Sequence, residues 1–159
     1  MIIRMIGLAA VVLLLAACSS APPPAAGGPP SGVGGPGYAP GSQQDLAATA
    51  GDRVFFAYDQ SDISSEGQQI LQRQAEWLKR YPRVSVTIEG HCDERGTAEY
   101  NLALGERRAV AARTYLVSLG IPADRLRTVS YGKEFPFDAG HDESAFTKNR
   151  RAHFVITAK

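Results

Sequence analysis

Val84-Ser85-Val86-Thr87-Ile88-Glu89-Gly90-His91-Cys92-Asp93-Glu94-Arg95-Gly96-Thr97 and the run that follows it decide the fold. Val84, Val86 and Ile88 alternate strictly with Ser85, Thr87 and Glu89, which predicts a strand with one buried and one polar face. From Gly90 to Gly96 the thiol is the single apolar side chain and glycine stands at both ends, so this stretch reads as a loop. Thr97 is placed to cap a helix, and Glu99 sits where the positive end of the helix dipole favours it. Leu102, Gly105, Ala109, Ala112, Leu116 and Leu119 then recur at alternating spacings of three and four, the period of one helix face. Gly120 and Pro122 stop that helix.

Working outward, Val54, Phe56 and Tyr58 alternate with Phe55 and Ala57 and predict a first strand. Ser64 offers a cap with Glu66 in the first turn, ahead of Ile70, Leu71, Ala75, Leu78 and Tyr81 at helical spacing. Pro82 restricts Tyr81 and ends that helix. A third strand is expected around Leu126 to Tyr131 and a last one from Arg151 to Thr157. Arg151 alternates with Ala152, Phe154 and Ile156 and belongs to the opposite face of that strand. The order is β-α-β-α-β-β, and one-sided strands with two amphipathic helices imply an α+β fold. The expected architecture is a two-layer sandwich with both main helices on one face of a mixed four-stranded sheet.

The N-terminal third differs in kind. Residues 1–17 combine an early Arg4 with an apolar run too short to cross a bilayer comfortably, which is how a secretory signal is built. Leu15-Ala16-Ala17-Cys18 resembles the lipobox of bacterial lipoproteins, which implies cleavage before Cys18 and lipidation of its thiol and new amine. Several acyl chains anchor stably, since each buried methylene contributes about 0.8 kcal/mol. Ser19 after the cysteine points to the outer membrane, with the chain facing the periplasm. Residues 21–41 hold seven Pro and seven Gly with no period. Such a composition builds no core, so residues 18–50 are expected to be the lipidated cysteine and a tether. About thirty residues of tether reach roughly 90 Å extended and roughly 30 Å as a coil. The folded domain is expected over residues 51–159.

The formal net charge is +1, and losing Arg4 with the signal leaves basic and acidic side chains equal in number. That balance argues against a nucleic-acid partner. With Cys18 lipidated, Cys92 has no disulfide partner in an oxidising compartment, so the domain has to be held by its core. His91, Cys92, His141 and Asp93 invite a second reading, a zinc site or the Cys-His nucleophile of a wall-cutting hydrolase. Neighbours in an extended segment point to opposite sides, and neither metal-ligand spacing nor a nucleophile elbow is present. No metal, no cofactor and no catalysis are expected.

Gly90 to Thr97, Tyr100-Asn101, Leu104 and Glu106 to Ala109 resemble the signature of the OmpA-like peptidoglycan-binding domain. The resemblance extends to Phe56-Ala57-Tyr58-Asp59, to Ser130-Tyr131-Gly132-Lys133-Glu134, to Gly140-His141-Asp142-Glu143 and to Asn149-Arg150-Arg151. It implies non-covalent recognition of the peptide stem of peptidoglycan, above all the ammonium and carboxylate at the free end of meso-diaminopimelate. Asp93 and Arg108 occupy the matching positions, as the acid and the base that such a zwitterion needs. A guanidinium fork can hold a carboxylate through two parallel hydrogen bonds. Asn101, Leu104 and Arg108 share a helix face beside the core stripe and are expected to line a groove. Phe56, Asp59 and Asp62 are expected near the same groove, the two acids with turn or cap roles as the alternative. For Arg150 and Arg151 the alternative to ligand contact is ion pairing within the loops. The resemblance further implies partners in the Tol envelope-constriction system, the periplasmic propeller protein TolB and also TolA. A different class of reading makes the domain chiefly an adaptor for periplasmic proteins.

Overall fold

The structure is a computed structural model that describes residues 37–158. Cys18, the signal and most of the expected tether lie outside the described residues. The elements in chain order are α1 (Gln43–Thr49), β1 (Arg53–Phe55), α2 (Ser65–Arg80), β2 (Ser85–His91), α3 (Ala98–Ser118), a 3-10 turn (Ala123–Arg125), β3 (Leu126–Gly132), α4 (Glu143–Asn149) and β4 (Arg151–Ala158). The sheet order is β1-β4-β2-β3, with β2 and β3 parallel and both other pairings antiparallel. The α+β fold with a mixed four-stranded sheet is the expected one. Among the described residues no helix is long and apolar enough to cross a membrane.

The caps form where the local sequence places them. Ser64 accepts from Gly67 N at 3.1 Å and Thr97 from Tyr100 N at 3.2 Å, each satisfying one of the donors a helix start leaves open. Leu71, Ala75, Trp77 and Leu78 of α2 and Ala109, Ala112 and Leu116 of α3 join Val54, Val86, Ile88, Ala152 and Phe154 of the sheet in one core. Both long helices therefore cover the same sheet face.

Two expectations about extent and facing change. The folded part begins before Gly51, because α1 and its approach are fastened to the domain. Asp45 accepts from Trp77 Nε1 at 3.1 Å and from Gly41 N at 2.9 Å, and Leu46 is buried. Gln43 donates to Phe154 O and accepts from Ile156 N, both at 2.9 Å. A seven-residue helix with one large apolar side chain carries too little period to be read; long-range hydrogen bonds hold it.

On α3 the expected inner face holds except at Leu102. Leu102 is 53 % exposed, while Asn101, Leu104 and Arg108 are buried with Gly105, Ala109, Ala112 and Leu116. The cause is a backbone approach at the N-terminal half of the helix. A Cβ on Gly90 of β2 would fall inside the carbonyl of Gly105, and one on Gly105 would collide with Ser130 Oγ. Gly132 lies against the Leu102 backbone in the same way. Leu102 O accepts from Ser130 Oγ at 2.6 Å, so this turn meets β3 with its main chain and turns its leucine outward.

Among the described residues, neither long helix lies on the other sheet face. Glu89 and His91 of β2, Tyr131 of β3, and Arg151 and His153 of β4 occupy it, with Arg151 opposite in facing to buried Ala152 and Phe154, as the alternation predicts. His91 is 2 % exposed, and burial first, then the charges of Arg151 and His153, lower its pKa to about 3. An unfolded chain binds that proton near pH 6.5, so His91 favours the fold fully above that pH. Its contribution is lost as pH falls from 6.5 towards 3, at about 1.4 kcal/mol per unit. We expect the fold to lose roughly 2–3 kcal/mol from this residue between pH 7 and pH 4.5. Urea unfolding of the parent and of His91→Gln at both pH values checks this. Equal pH slopes in the two proteins would show that His91 is not the titrating group.

Candidate functional site

The loop between β2 and α3, the start of α3, the segment after β1 and the start of β4 enclose a cleft of about 440 Å³. Because Gly90 and Gly105 bring β2 and α3 into backbone contact, the loop residues His91 to Thr97 fold back over the helix start. Of the residues expected at a site, Asp59, Asp93, Asn101, Leu104 and Arg108 line the cleft. Phe56 does not reach it: it is buried below, with the Arg108 guanidinium 5.2 Å from its ring centre. Asp62 is exposed and lies off the cleft.

Arg108 is fully buried and bonded mainly to main-chain oxygen. Its Nε donates to Gln60 O at 2.8 Å, Nη1 to His91 O at 2.9 Å and to Cys92 Sγ at 3.4 Å, and Nη2 to Ala57 O at 3.2 Å. One Nη2 hydrogen is left over from the five that a guanidinium carries. No carboxylate oxygen lies within 4.0 Å of it among the described residues. The two-pronged grip expected of this side chain is thus not open to it in this arrangement. What it supplies to the cleft is one donor and an unpaired positive charge. Burial lowers its pKa, which nonetheless leaves it charged at neutral pH.

Asp93 has the opposite character. Its Oδ1 accepts from Arg95 N and Arg95 Nε, both at 3.2 Å, and its Oδ2 from Arg95 Nη2 at 2.5 Å and Arg150 Nη1 at 3.2 Å. Those four bonds fill the acceptor positions of a carboxylate. Burial raises its pKa, but the hydrogen bonds from Arg95 and Arg150 outweigh burial and hold it below the usual carboxylate range. Of the two cations, Arg150 is the buried one and also donates to Phe56 O and Glu143. Arg95 is 35 % exposed along its side chain, with its guanidinium between the rings of Tyr58 at 4.1 Å and Phe146 at 4.6 Å. Arg95 is therefore the partner of Asp93 that can leave.

Asp59 sits at φ 57, a left-handed conformation that aspartate tolerates better than most residues. Its Oδ1 accepts from the Tyr100 hydroxyl. Asn101 donates from Nδ2 to Arg95 O at 2.8 Å and holds the loop against the helix. Cys92 is buried, donates to Asn101 O at 3.3 Å, and has its pKa raised by burial, with Arg108 acting in the opposite direction, so the thiol is protonated. It is the free cysteine among the described residues. No group of three His, Cys, Asp or Glu side chains among the described residues could hold a metal ion.

Arg95, Tyr58, Tyr100 and Arg150 also line the cleft. The sequence could have pointed to them only through their place inside the motifs, because their approach joins segments up to 94 residues apart. The result is a cleft where two carboxylates, three guanidinium groups and two phenol rings face one small volume. That arrangement suits a ligand carrying both charges on a short apolar frame.

The OmpA family model matches residues 55–150. A peptidoglycan-associated lipoprotein of Agrobacterium fabrum is 56 % identical over 126 residues, covering 79 % of this chain and 71 % of that protein. Another of Haemophilus influenzae is 52 % identical over 99 residues, 62 % of this chain and 65 % of the relative. Among solved structures, the peptidoglycan-associated lipoprotein from Burkholderia pseudomallei is similar with a TM-score of 0.65 and 43 % identity, over 67 % of this chain and 90 % of that one. The C-terminal domain of Helicobacter pylori MotB, at 21 % identity and a TM-score of 0.64, shares the fold over 68 % of this chain and 85 % of that one. Matched over most of its described length by the family model, and by relatives at more than half identity, the chain belongs to the OmpA family, among its peptidoglycan-associated lipoproteins.

Proposed function

We propose that the chain is an outer-membrane lipoprotein that holds peptidoglycan non-covalently in the cleft around Asp93 and Arg108, with no catalytic step. The observation that carries this reading is the unpaired, buried charge of Arg108 set in one cleft with the carboxylates of Asp59 and Asp93. A stem-peptide zwitterion such as the free end of meso-diaminopimelate brings a carboxylate to the first and an ammonium to the others. The ligand ammonium reaches Asp93 by displacing Arg95, or stays with Asp59. Similarity to relatives named peptidoglycan-associated lipoproteins supports the choice of ligand.

The rest of the design follows from the sequence: cleavage after residue 17, lipid on Cys18, and a Pro/Gly tether that ends near α1 instead of at residue 50. Each grip can be weak, because many copies anchored in one plane raise the effective concentration at the wall. Within the Tol envelope-constriction system, TolB is the partner whose binding would compete with the wall for this cleft, with TolA as a further contact, and cell division is the setting.

The test is co-sedimentation of the full chain in detergent with purified sacculi. Asp93→Asn keeps the volume but removes the charge and one of the two oxygens that accept from Arg95 and Arg150, so it costs stability as well, and we expect it to weaken binding at least tenfold, about 1.4 kcal/mol. Free meso-diaminopimelate is expected to displace the parent. If folded Asp93→Asn, checked by circular dichroism, sediments like the parent, the cleft is not the wall site. If the parent itself stays in solution, the adaptor reading replaces this one.

A further inference from the structure

The open sheet face holds a second recess, of about 420 Å³, whose floor and rim have different chemistry. Arg151, 6 % exposed, and His91, 2 % exposed, form the floor with Glu89. Neither ring nitrogen of His91 makes a well-formed hydrogen bond among the described residues, nor do Arg151 Nε and Arg53 Nε beside them; the nearest acids are Glu89, 3.7 Å from His91 Nε2, and Asp52, 3.8 Å from Arg53 Nε. Arg151 donates from Nη1 to Asn149 O and from Nη2 to Phe135 O, at 3.4 and 3.3 Å, and no carboxylate oxygen lies within 4.0 Å of it among the described residues. Glu89, the acid on the floor, has its Oε2 3.1 Å from His153 Nδ1 and 3.7 Å from His91 Nε2, and its charge acts on Arg151 without touching it. A cation taken out of water without a counter-charge is costly, as are buried donors left unpaired.

The rim is aromatic. Phe137 lies over both guanidinium groups, 4.5 Å from that of Arg53 and 5.7 Å from that of Arg151. Phe135 meets Tyr131 edge to face at 5.0 Å, and Tyr131 meets the His91 ring at 5.5 Å. Yet Phe135 and Phe137 are 61 % and 54 % exposed, and Phe55 on the neighbouring strand is 43 % exposed. Clustered exposed aromatic rings mark a contact surface. A small molecule would be covered on too few sides here, whereas an extended peptide can lay several residues across the sheet face.

From the unpaired Arg151 and the aromatic rim we infer that this recess docks an acidic peptide segment of a partner protein, with one carboxylate reaching Arg151 and Arg53 and apolar neighbours covering Phe135 and Phe137. The recess lies on the sheet face opposite the two long helices, and none of the residues lining it lines the cleft.

The test uses the ¹⁵N-labelled full chain in detergent micelles, titrated with the blocked tripeptide acetyl-Phe-Glu-Phe-amide and its uncharged control acetyl-Phe-Gln-Phe-amide. We expect the Glu peptide to shift the amide signals of Glu89, His91, Phe135, Phe137 and Arg151 with a Kd of about 1 mM or below. The Gln peptide should bind at least tenfold more weakly. Phe137→Ala and Arg53→Gln, both partly exposed and outside the core, should each weaken the Glu peptide several-fold while leaving sacculus binding unchanged. Equal binding of the two peptides would reduce the recess to an apolar patch. Shifts centred on residues 93 to 101, or none up to about 10 mM peptide, which corresponds to roughly 2.7 kcal/mol, would overturn the site.

Discussion

Gly90→Ala is expected to cost the fold about 4 kcal/mol, more than most single substitutions. The added methyl would fall on the carbonyl of Gly105, a main-chain atom within α3, so no side-chain rotation relieves the clash. Relief requires α3 to lift from β2, which breaks its packing through Ala109 and Ala112 and moves Asn101, Leu104 and Arg108 out of the cleft. Gly67→Ala in α2 is the matched control. There the new methyl meets Ile63 Cγ2 and Val54 Cγ1 at 3.0 Å, both side-chain atoms, and alanine gains up to about 1 kcal/mol of helix propensity over glycine. We expect Gly67→Ala to stay within about 1 kcal/mol of the parent, with Gly90→Ala far below it at unchanged urea m-value. Comparable losses in the two would mean that the backbone approach of β2 and α3 has slack.

Arg108→Ala is expected to remove about 3–5 kcal/mol of stability and all cleft binding. The side chain ties Ala57 and Gln60, which follow β1, to His91 at the end of β2. Ala57 and Gln60 are exposed, so water can replace the guanidinium at their carbonyls. The bond to His91 O is buried, and that carbonyl would be left without a partner. Alanine also leaves a cavity where a large, fully buried side chain stood. Arg108→Met refills much of that volume without restoring donors, and we expect it to recover roughly half of the loss. A cost under about 1 kcal/mol for Arg108→Ala would show that the carbonyl ties are not holding the fold.

The sequence by itself determined the order of the four strands and the two long helices, though not α1 or α4, the capping of α2 and α3, the inward and outward alternation of β2 and β4, and which loop carries the polar cluster. These are written in spacings of two to four residues and in caps acting within one turn, so each is decided by nearby atoms. The tertiary structure alone decided that Leu102 turns outward from a stripe whose Gly105, Ala109, Ala112 and Leu116 stay buried, and that Asn101, Leu104 and Arg108 beside that stripe are buried too. The backbone contacts of Gly90, Gly105 and Gly132 bring that end of the helix onto the sheet by its main chain. Tertiary structure also decided that α1 joins the domain, that Asp93 is filled by Arg95 and Arg150, and that Arg108 is bonded to carbonyls and has no acidic partner. In each of these a polar group is removed from water and compensated by atoms distant along the chain, and no local pattern records whether that compensation is met.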